Sequence, residues 1–111
     1  MIARGTVLIV STTGGLAGKP RPAIVIQASQ YDFPETLIVV PLTSLDVNDD
    51  LAMPILLPDD MNGLLEPSCL MTQRIAAVRK NDLGKIIGSM SRNDMERVDA
   101  ALLLVLGLDF G

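Results

Sequence analysis

Short apolar blocks separated by glycine, proline and small polar residues make up most of this chain. Runs rich in Val, Ile and Leu that are bounded in this way are typical of β-strands. The pattern predicts strands at residues 7–10, 23–28, 36–42, 51–57, 68–73, 75–78 and 85–90. Pro54 places the fourth of these at an edge or a bulge, because proline cannot donate to a strand ladder.

The last part of the chain has a helical period instead. Ser91 and Asp94 have the spacing of a helix-capping box, and Gly107 is expected to end the helix. Between them the apolar residues Met95, Val98, Leu102 and Leu106 recur at helical spacing. Many short strands followed by one amphipathic helix predict a mainly β, α+β fold, in which a C-terminal helix covers a strongly bent antiparallel sheet or barrel. No repeat or linker is apparent, so residues 1–111 are expected to form a single domain.

Composition removes several kinds of active site. The 111 residues include no histidine and one cysteine, so a histidine general base, a Cys-His pair and nearly every zinc site are excluded. Cys69 is expected to be a buried packing thiol. The three aromatic residues are too few for a platform that stacks bases. The lone cysteine and the lack of a signal-like start favour a cytoplasmic protein, and the apolar run 100–106 is too short to cross a membrane.

Charge is distributed unevenly along the chain. The formal net charge is −4, and no Lys or Arg occurs between Pro22 and Gln73, where acidic residues are frequent. Seven of the nine basic residues fall in two segments, Arg4, Lys19 and Arg21 in the first and Arg74, Arg79, Lys80 and Lys85 in the second. A fold that brings the two segments together would form a locally positive groove on an acidic molecule. The alternative is that both segments are ordinary solvated faces.

Arg21 stands directly before Pro22 and a buried-looking strand, and Thr43 ends the next strand. A guanidinium held against a stiff strand, with a hydroxyl at the end of a second strand, suits a phosphodiester better than a metal or a redox cofactor. The alternatives are a surface ion pair for Arg21 and a turn-forming role for Thr43. Residues 13–19 resemble a nucleotide-binding P-loop, but the spacing is one residue short and Pro20 replaces the required Ser or Thr, so a mobile surface loop is expected.

Several blocks together resemble the MazF/PemK toxins of bacterial type II toxin–antitoxin systems. These blocks are residues 4–5, 19–26, 39–44, 67–71 and 95–102, and the similarity runs over nearly the whole length. The resemblance implies a CcdB/MazF-like, SH3-like β-barrel assembled as a homodimer. It also implies sequence-specific cleavage of single-stranded RNA without a metal or other cofactor. The further partner it implies is a cognate antitoxin, with DNA contacted only indirectly through the toxin–antitoxin complex and no membrane contact.

The resemblance also assigns roles to individual residues. The family's catalytic arginine falls on Arg21 and its catalytic threonine on Thr43. Because RNA carries its own 2′-hydroxyl nucleophile, such a site works by orienting that hydroxyl and stabilising charge on phosphorus. An arginine side chain is not deprotonated in proteins, so the general base is left unassigned. Further substrate contacts are expected from Lys19 and Ser44 to phosphate and from Gln73 and Arg74 in the groove.

The sequence leaves two alternatives open. One is a CcdB-like toxin that poisons gyrase without catalysis through its extreme C-terminus; this chain ends in Asp109-Phe110-Gly111 and lacks the tryptophan expected there. The other is a catalytically degenerate toxin homologue. It is suggested by Thr6, where relatives of the family carry aspartate, and by residues 73–77, where they carry a more polar segment.

Overall fold

The computed structural model describes residues 2–11, 19–44 and 49–108. Within these ranges the strands are β1 Thr6–Val10, β2 Arg21–Val25, β3 Thr36–Thr43, β4 Ile55–Leu56, β5 Ser68–Leu70, β6 Ala76–Arg79 and β7 Leu83–Ser89. Short 3₁₀ turns cover Thr72–Arg74 and Lys80–Asp82, and one helix, α1, covers Arg92–Val105. The predicted loop at residues 13–19, except Lys19, and the C-terminal residues 109–111 lie outside the described residues.

The described strand pairs are antiparallel and follow the order β4-β5-β3-β2-β1-β7. Strand β6 pairs with the first half of β3, and β5 pairs with its end. Thr43 and Val39 are four residues apart on β3, whereas their partners Cys69 and Ala76 are seven apart. The 3₁₀ turn Thr72–Arg74 holds the additional residues and therefore bulges out beside the end of β3.

A short connection between its two edges makes this sheet curl. Strands β6 and β7 lie at opposite edges of the path β6-β3-β2-β1-β7, yet only the turn Lys80–Asp82 separates them in sequence. In a flat sheet these edges would be about 19 Å apart, at about 4.8 Å per strand. Four extended peptide steps span at most about 14 Å. The sheet must therefore bend into a half-barrel, which confirms the predicted strongly bent antiparallel architecture.

Each face of the curled sheet buries an aliphatic cluster. The inner cluster consists of strand residues and contains Leu8, Val10, Ala23, Val25, Leu37, Val39 and Val78. The outer cluster packs strand residues such as Ile24 and Val40 against Val98 and Leu102 of α1. Neither cluster contains an aromatic side chain, as expected from the composition. Burial of this aliphatic surface is the main stabilising contribution, at about 25 cal/mol per Å².

Helix α1 begins and ends where the sequence predicts. Ser91 Oγ accepts a hydrogen bond from the Asp94 backbone N–H at 3.1 Å, which satisfies a first-turn donor. At the other end Gly107 has φ +71°, and the Leu108 N–H donates to the Leu103 carbonyl at 2.9 Å, as in a Schellman motif. No helix in the described ranges is long and apolar enough to span a membrane.

Strand β2 differs from its predicted limits. It covers Arg21–Val25 rather than 23–28, so Arg21 is itself part of the strand. The ladder stops because the N–H groups of Ile26 and Gln27 both point to one carbonyl, that of Ile38, at 3.1 and 3.4 Å. The buried Gln27 side chain then continues the pairing, since its Oε1 accepts from the Ile38 N–H at 3.1 Å.

Three further strand limits also needed correction. Of residues 51–57, only Ile55–Leu56 pair, because Asp50 starts a turn in which its carbonyl accepts from the Met53 N–H at 3.1 Å. The predicted strand 68–73 ends at Leu70, where the bulging 3₁₀ turn follows. Strand β7 begins at Leu83 rather than at residue 85. The strands predicted at 7–10, 36–42 and 75–78 agree with β1, β3 and β6 to within a residue or so.

Candidate active site

Arg21 and Thr43 lie side by side at one end of the curled sheet. In the antiparallel ladder Ala23 pairs with Pro41, so Arg21 comes opposite Thr43 two residues further along. Because side chains alternate along a strand, Arg21 and Thr43 share the inner face with Ala23 and Val25. The strand register thus explains how two residues 22 positions apart in sequence meet.

The Arg21 guanidinium is held by Thr43 and has an unused donor. Its Nη1 donates to Thr43 Oγ1 at 3.2 Å, whereas the buried Nε has no hydrogen-bond partner among the described residues. The ion pairs found in the described part of the chain do not include Arg21, so the surface ion-pair alternative is not supported there. A buried donor without an acceptor costs about 1–3 kcal/mol. An anion with two oxygens would relieve that cost by binding the Nε edge of the guanidinium.

Cys69 continues the same cross-strand row, since it pairs with Thr43. The thiol is buried and donates to the Met53 carbonyl at 3.3 Å. Burial raises the pKa of the Cys69 thiol, and the nearby carboxylates of Asp49 and Asp50 raise it further. The prediction of a buried packing thiol is confirmed. These groups do not form a metal site, because no set of three or more metal-ligating Cys, Asp or Glu residues occurs within the described ranges.

The other predicted contact residues are arranged around this end of the sheet. Ser44 follows Thr43 and is exposed, and Lys19 is exposed just before β2. Gln73 and Arg74 belong to the 3₁₀ turn, which lies beside β3 because the Met71 N–H donates to the Pro41 carbonyl at 3.0 Å. Gln73 is exposed and Arg74 is half-buried. The turn therefore places both residues next to the strand that carries Thr43.

Three of the seven basic residues considered for a positive groove are neutralised elsewhere. The pairs are Arg4–Asp99 at 2.5 Å, Arg79–Asp82 at 3.1 Å and Lys80–Asp32 at 2.8 Å. The hydrogen bond from Lys80 and its charge hold the pKa of Asp32 below its ordinary value. Arg4 also donates from Nε to the Ile26 carbonyl at 2.8 Å, so it ties the start of the chain to the sheet and to α1. Each of these three residues therefore forms an ion pair within the fold and adds no uncompensated charge to a positive groove.

Sequence reasoning missed a rigid loop, residues 57–66, that forms one wall beside the site. Asn62 is fully buried, and its side chain makes three hydrogen bonds to the backbone of this loop, two accepted by Oδ1 and one donated by Nδ2. Gly63 has φ +70°, and a β-carbon there would lie 2.2 Å from the Ile87 carbonyl oxygen. The Asn-Gly dipeptide is a turn signal that could have revealed this loop.

A pocket of about 420 Å³ lies between this loop and the sheet. Its lining consists of Ile9, Pro22, Leu42, Ser44, Gly63, Leu64, Leu65, Glu66, Ser68 and Ile87. Pro22 and Ser44 are the immediate chain neighbours of Arg21 and Thr43, so the pocket opens on the outer face of the same strand ends. The Arg21–Thr43 pair and the pocket thus occupy opposite faces of one end of the sheet.

Comparison of the chain with known proteins identifies its family. A family model described as "PemK-like, MazF-like toxin of type II toxin-antitoxin system" matches residues 3–106. The chain belongs to this family. A probable endoribonuclease MazF from Mycolicibacterium smegmatis is 33% identical over 105 residues, which are 95% of this chain and 96% of that protein. This MazF-like chain is therefore a type II toxin and endoribonuclease homologue, as its sequence blocks indicated.

Solved structures of a mycobacterial endoribonuclease and of a MazF toxin have the same fold. An endoribonuclease in complex with its cognate antitoxin, from a mycobacterial species, matches with a TM-score of 0.82 and 20% identity over the full length of both chains. The Mycobacterium tuberculosis toxin MazF-mt6 matches with a TM-score of 0.78 and 21% identity, over 95% of this chain and 99% of that chain. These similarities confirm the predicted CcdB/MazF-like fold.

Proposed function

We propose that this MazF-like chain is a cytoplasmic toxin that inhibits growth by cutting single-stranded RNA at specific sequences without a metal ion. The observation that carries the proposal is the Arg21–Thr43 pair, whose buried Nε donor has no hydrogen-bond partner in the described part of the chain. A scissile phosphate offers two anionic oxygens that a guanidinium edge can bind in parallel. The probable endoribonuclease that is 33% identical over 95% of the chain supports the same reaction class.

In the proposed reaction the 2′-oxygen attacks the adjacent phosphorus and the bond from phosphorus to the 5′-oxygen breaks. The products are a 2′,3′-cyclic phosphate and a 5′-hydroxyl; one proton leaves the 2′-hydroxyl and one is taken up by the 5′-oxygen. Arg21 binds the non-bridging oxygens and stabilises the charge that develops on them. Thr43 holds the guanidinium in place and positions the phosphate or the attacking hydroxyl. The general base is left unassigned, because arginine is a poor proton acceptor in proteins.

Residues around the pair complete the proposed substrate site. Lys19 and Ser44 contact phosphates on either side of the cut, and Gln73 and Arg74 line the groove from the 3₁₀ turn. An antitoxin inhibits the toxin by laying an acidic or apolar tail over the groove near Arg21, where it competes with RNA. DNA is contacted only through the toxin–antitoxin complex. The match to a structure of an endoribonuclease with its cognate antitoxin supports this regulation.

A homodimer is proposed from the apolar surface at the end of α1. The exposed side chains there are Leu103, Leu104, Val105, Leu106 and Leu108, and Leu51, 83% exposed, lies across a groove of about 610 Å³. Exposed apolar side chains around a groove, such as Leu51, Leu103 and Leu104, mark an interaction site, and a two-fold pair of identical chains would cover them. Light scattering should give the mass of a dimer for the wild type and a smaller mass for Leu104→Lys. A wild-type monomer would contradict the dimer.

The test of the proposed activity is cleavage of a long single-stranded RNA in EDTA, with the cut ends mapped. We expect discrete cuts by the wild type and none by Arg21→Ala. Arg79→Ala is the matched control, because Arg79 is an exposed arginine that pairs with Thr36, at the opposite end of β3 from Thr43. Intact RNA with antitoxin-free wild type, or cuts that persist in Arg21→Ala, would contradict the proposal.

A further inference from the structure

Apart from Ser44, the residues that line the outer-face pocket beside the Arg21–Thr43 pair have no role in the proposed reaction. Its walls include Pro22 and Ser44, each adjacent in sequence to one member of the pair. Neighbouring residues along a strand are only about 3.3 Å apart. A nucleotide whose phosphate lies on Arg21 therefore has its base within reach of the pocket, around the ends of β2 and β3.

The pocket has a preformed shape. Its far wall is the loop 57–66, which the buried Asn62 side chain holds from within. Gly63 brings this loop against β7 so closely that no β-carbon fits there, and Gly88 on β7 is equally close to the Met61 carbonyl. A rigid wall can discriminate between ligands of different shape, because it loses little entropy on binding and does not adapt to the wrong one.

The chemistry of this end of the molecule favours a base as the occupant. Contacts to phosphate carry no sequence information, so a sequence-specific ribonuclease must contact bases. Among the described residues the aromatic rings are those of Tyr31 and Phe33, and these stack on each other, 6.4 Å apart, between β2 and β3 at the opposite end of the sheet. The faces of a bound base must then rest on aliphatic side chains, and the pocket supplies them from Ile9, Pro22 and Ile87.

We infer that the pocket holds an unstacked base next to the scissile phosphate and that Glu66 selects which base is accepted; this inference rests on the proposed function. Glu66 is the charged residue in the lining, where the other polar side chains are Ser44 and Ser68. A carboxylate accepts hydrogen bonds from the exocyclic amino groups of cytosine and adenine and repels a carbonyl oxygen. Uracil has no amino group. The pocket should therefore prefer an amino-bearing base over uracil.

The test is cleavage of an RNA library randomised around the mapped cut, in EDTA, with sequencing of the products. The wild type should disfavour uracil at one position beside the cut by about tenfold or more. Glu66→Gln should remove that discrimination at this position only, because an amide both donates and accepts. Glu35→Gln is the matched control, since Glu35 is an exposed glutamate at the other end of β3, and its preferences should equal those of the wild type.

A second variant tests the pocket without changing charge. Leu65 lines the pocket with a side chain that is 98% exposed, so Leu65→Ala should fold normally and lower kcat/KM several-fold on the preferred sequence. Base preferences that are unchanged in Glu66→Gln would overturn the inference. Weaker binding of an inhibitory antitoxin peptide to both variants, with unchanged base preferences, would also overturn it and show that a protein side chain fills the pocket. RNA left intact by the wild type would instead contradict the proposed function itself.

Discussion

Replacing Thr43 by valine keeps the shape of the side chain but removes the Oγ1 acceptor that lies 3.2 Å from Arg21 Nη1. Nε of Arg21 has no hydrogen-bond partner within residues 2–11, 19–44 and 49–108, so in this variant fewer contacts fix the orientation of the guanidinium. A hydrogen bond to a charged group contributes about 1.5–3 kcal/mol. If the transition state depends on it, the cleavage rate should fall about 10- to 150-fold. Arg21→Ala removes the guanidinium and should lower the cleavage rate at least about 10²–10³-fold, as does the loss of one hydrogen-bond donor from an oxyanion hole.

The free-energy costs of the Thr43→Val and Arg21→Ala changes should not be additive. Because Thr43 acts largely through Arg21, the double variant should be about as slow as Arg21→Ala alone, with a coupling free energy of about 2 kcal/mol. The assay is single-turnover cleavage of a labelled oligonucleotide in EDTA, with urea unfolding to show that each variant remains folded. Thr43→Ser keeps the hydroxyl and should retain most of the rate. Losses that simply multiply in the double variant would refute the idea that the two side chains work as a unit.

Three further predictions concern stability and reactivity. Gly63→Ala should lower the free energy of unfolding by more than about 3 kcal/mol, because its β-carbon would lie 2.2 Å from a backbone oxygen. Gly107 has a similar φ, but a β-carbon there would meet no atom of the described residues within 4 Å, so Gly107→Ala should cost only about 1 kcal/mol. Equal losses in urea unfolding would contradict this. Cys69, whose pKa is raised by burial, should react with iodoacetamide at pH 8 far more slowly in the native than in the unfolded protein. Equal rates of labelling would disprove the packing role. Lys80 lowers the pKa of Asp32, so its stabilising effect is present above the unfolded pKa of Asp32 and is lost as pH falls through the lower folded pKa. Lys80→Met should therefore be less stable than the wild type at pH 7 and equal to it in acid, and a difference that persists at pH 2 would argue against this pair.

The parts of the fold that the sequence predicts are those fixed by local pattern. The helix follows from the capping spacing of Ser91 and Asp94, an apolar face of period 3.6 and the stop at Gly107. Strands β1, β3 and β6 follow from their apolar runs. The limits of β2, by contrast, depend on Gln27, whose side chain bonds a residue of another strand, and no pattern within β2 itself records that contact.

The candidate site was predictable only in part for the same reason. Residue type identified Arg21 and Thr43, and antiparallel pairing of two adjacent strands then brought them together. The three-residue bulge at Thr72–Arg74 arises from a register change between β3 and its partners, which local sequence does not specify. The loop around Asn62 escaped prediction because its structure depends on a buried amide and on close contact with β7. Contacts between residues distant in sequence therefore account for most of the structural features that the sequence did not predict.

The most direct test of the proposed mechanism asks whether cleavage requires the substrate's own 2′-hydroxyl. An oligonucleotide that contains the mapped cut site would be compared, in EDTA, with the same oligonucleotide carrying a single 2′-deoxy sugar on the 5′ side of the cut. We expect the ribose substrate to be cut to a 2′,3′-cyclic phosphate end and the deoxy substrate to stay intact, because the Arg21–Thr43 site supplies orientation and charge but no nucleophile. Cleavage of the deoxy substrate at a comparable rate would contradict it.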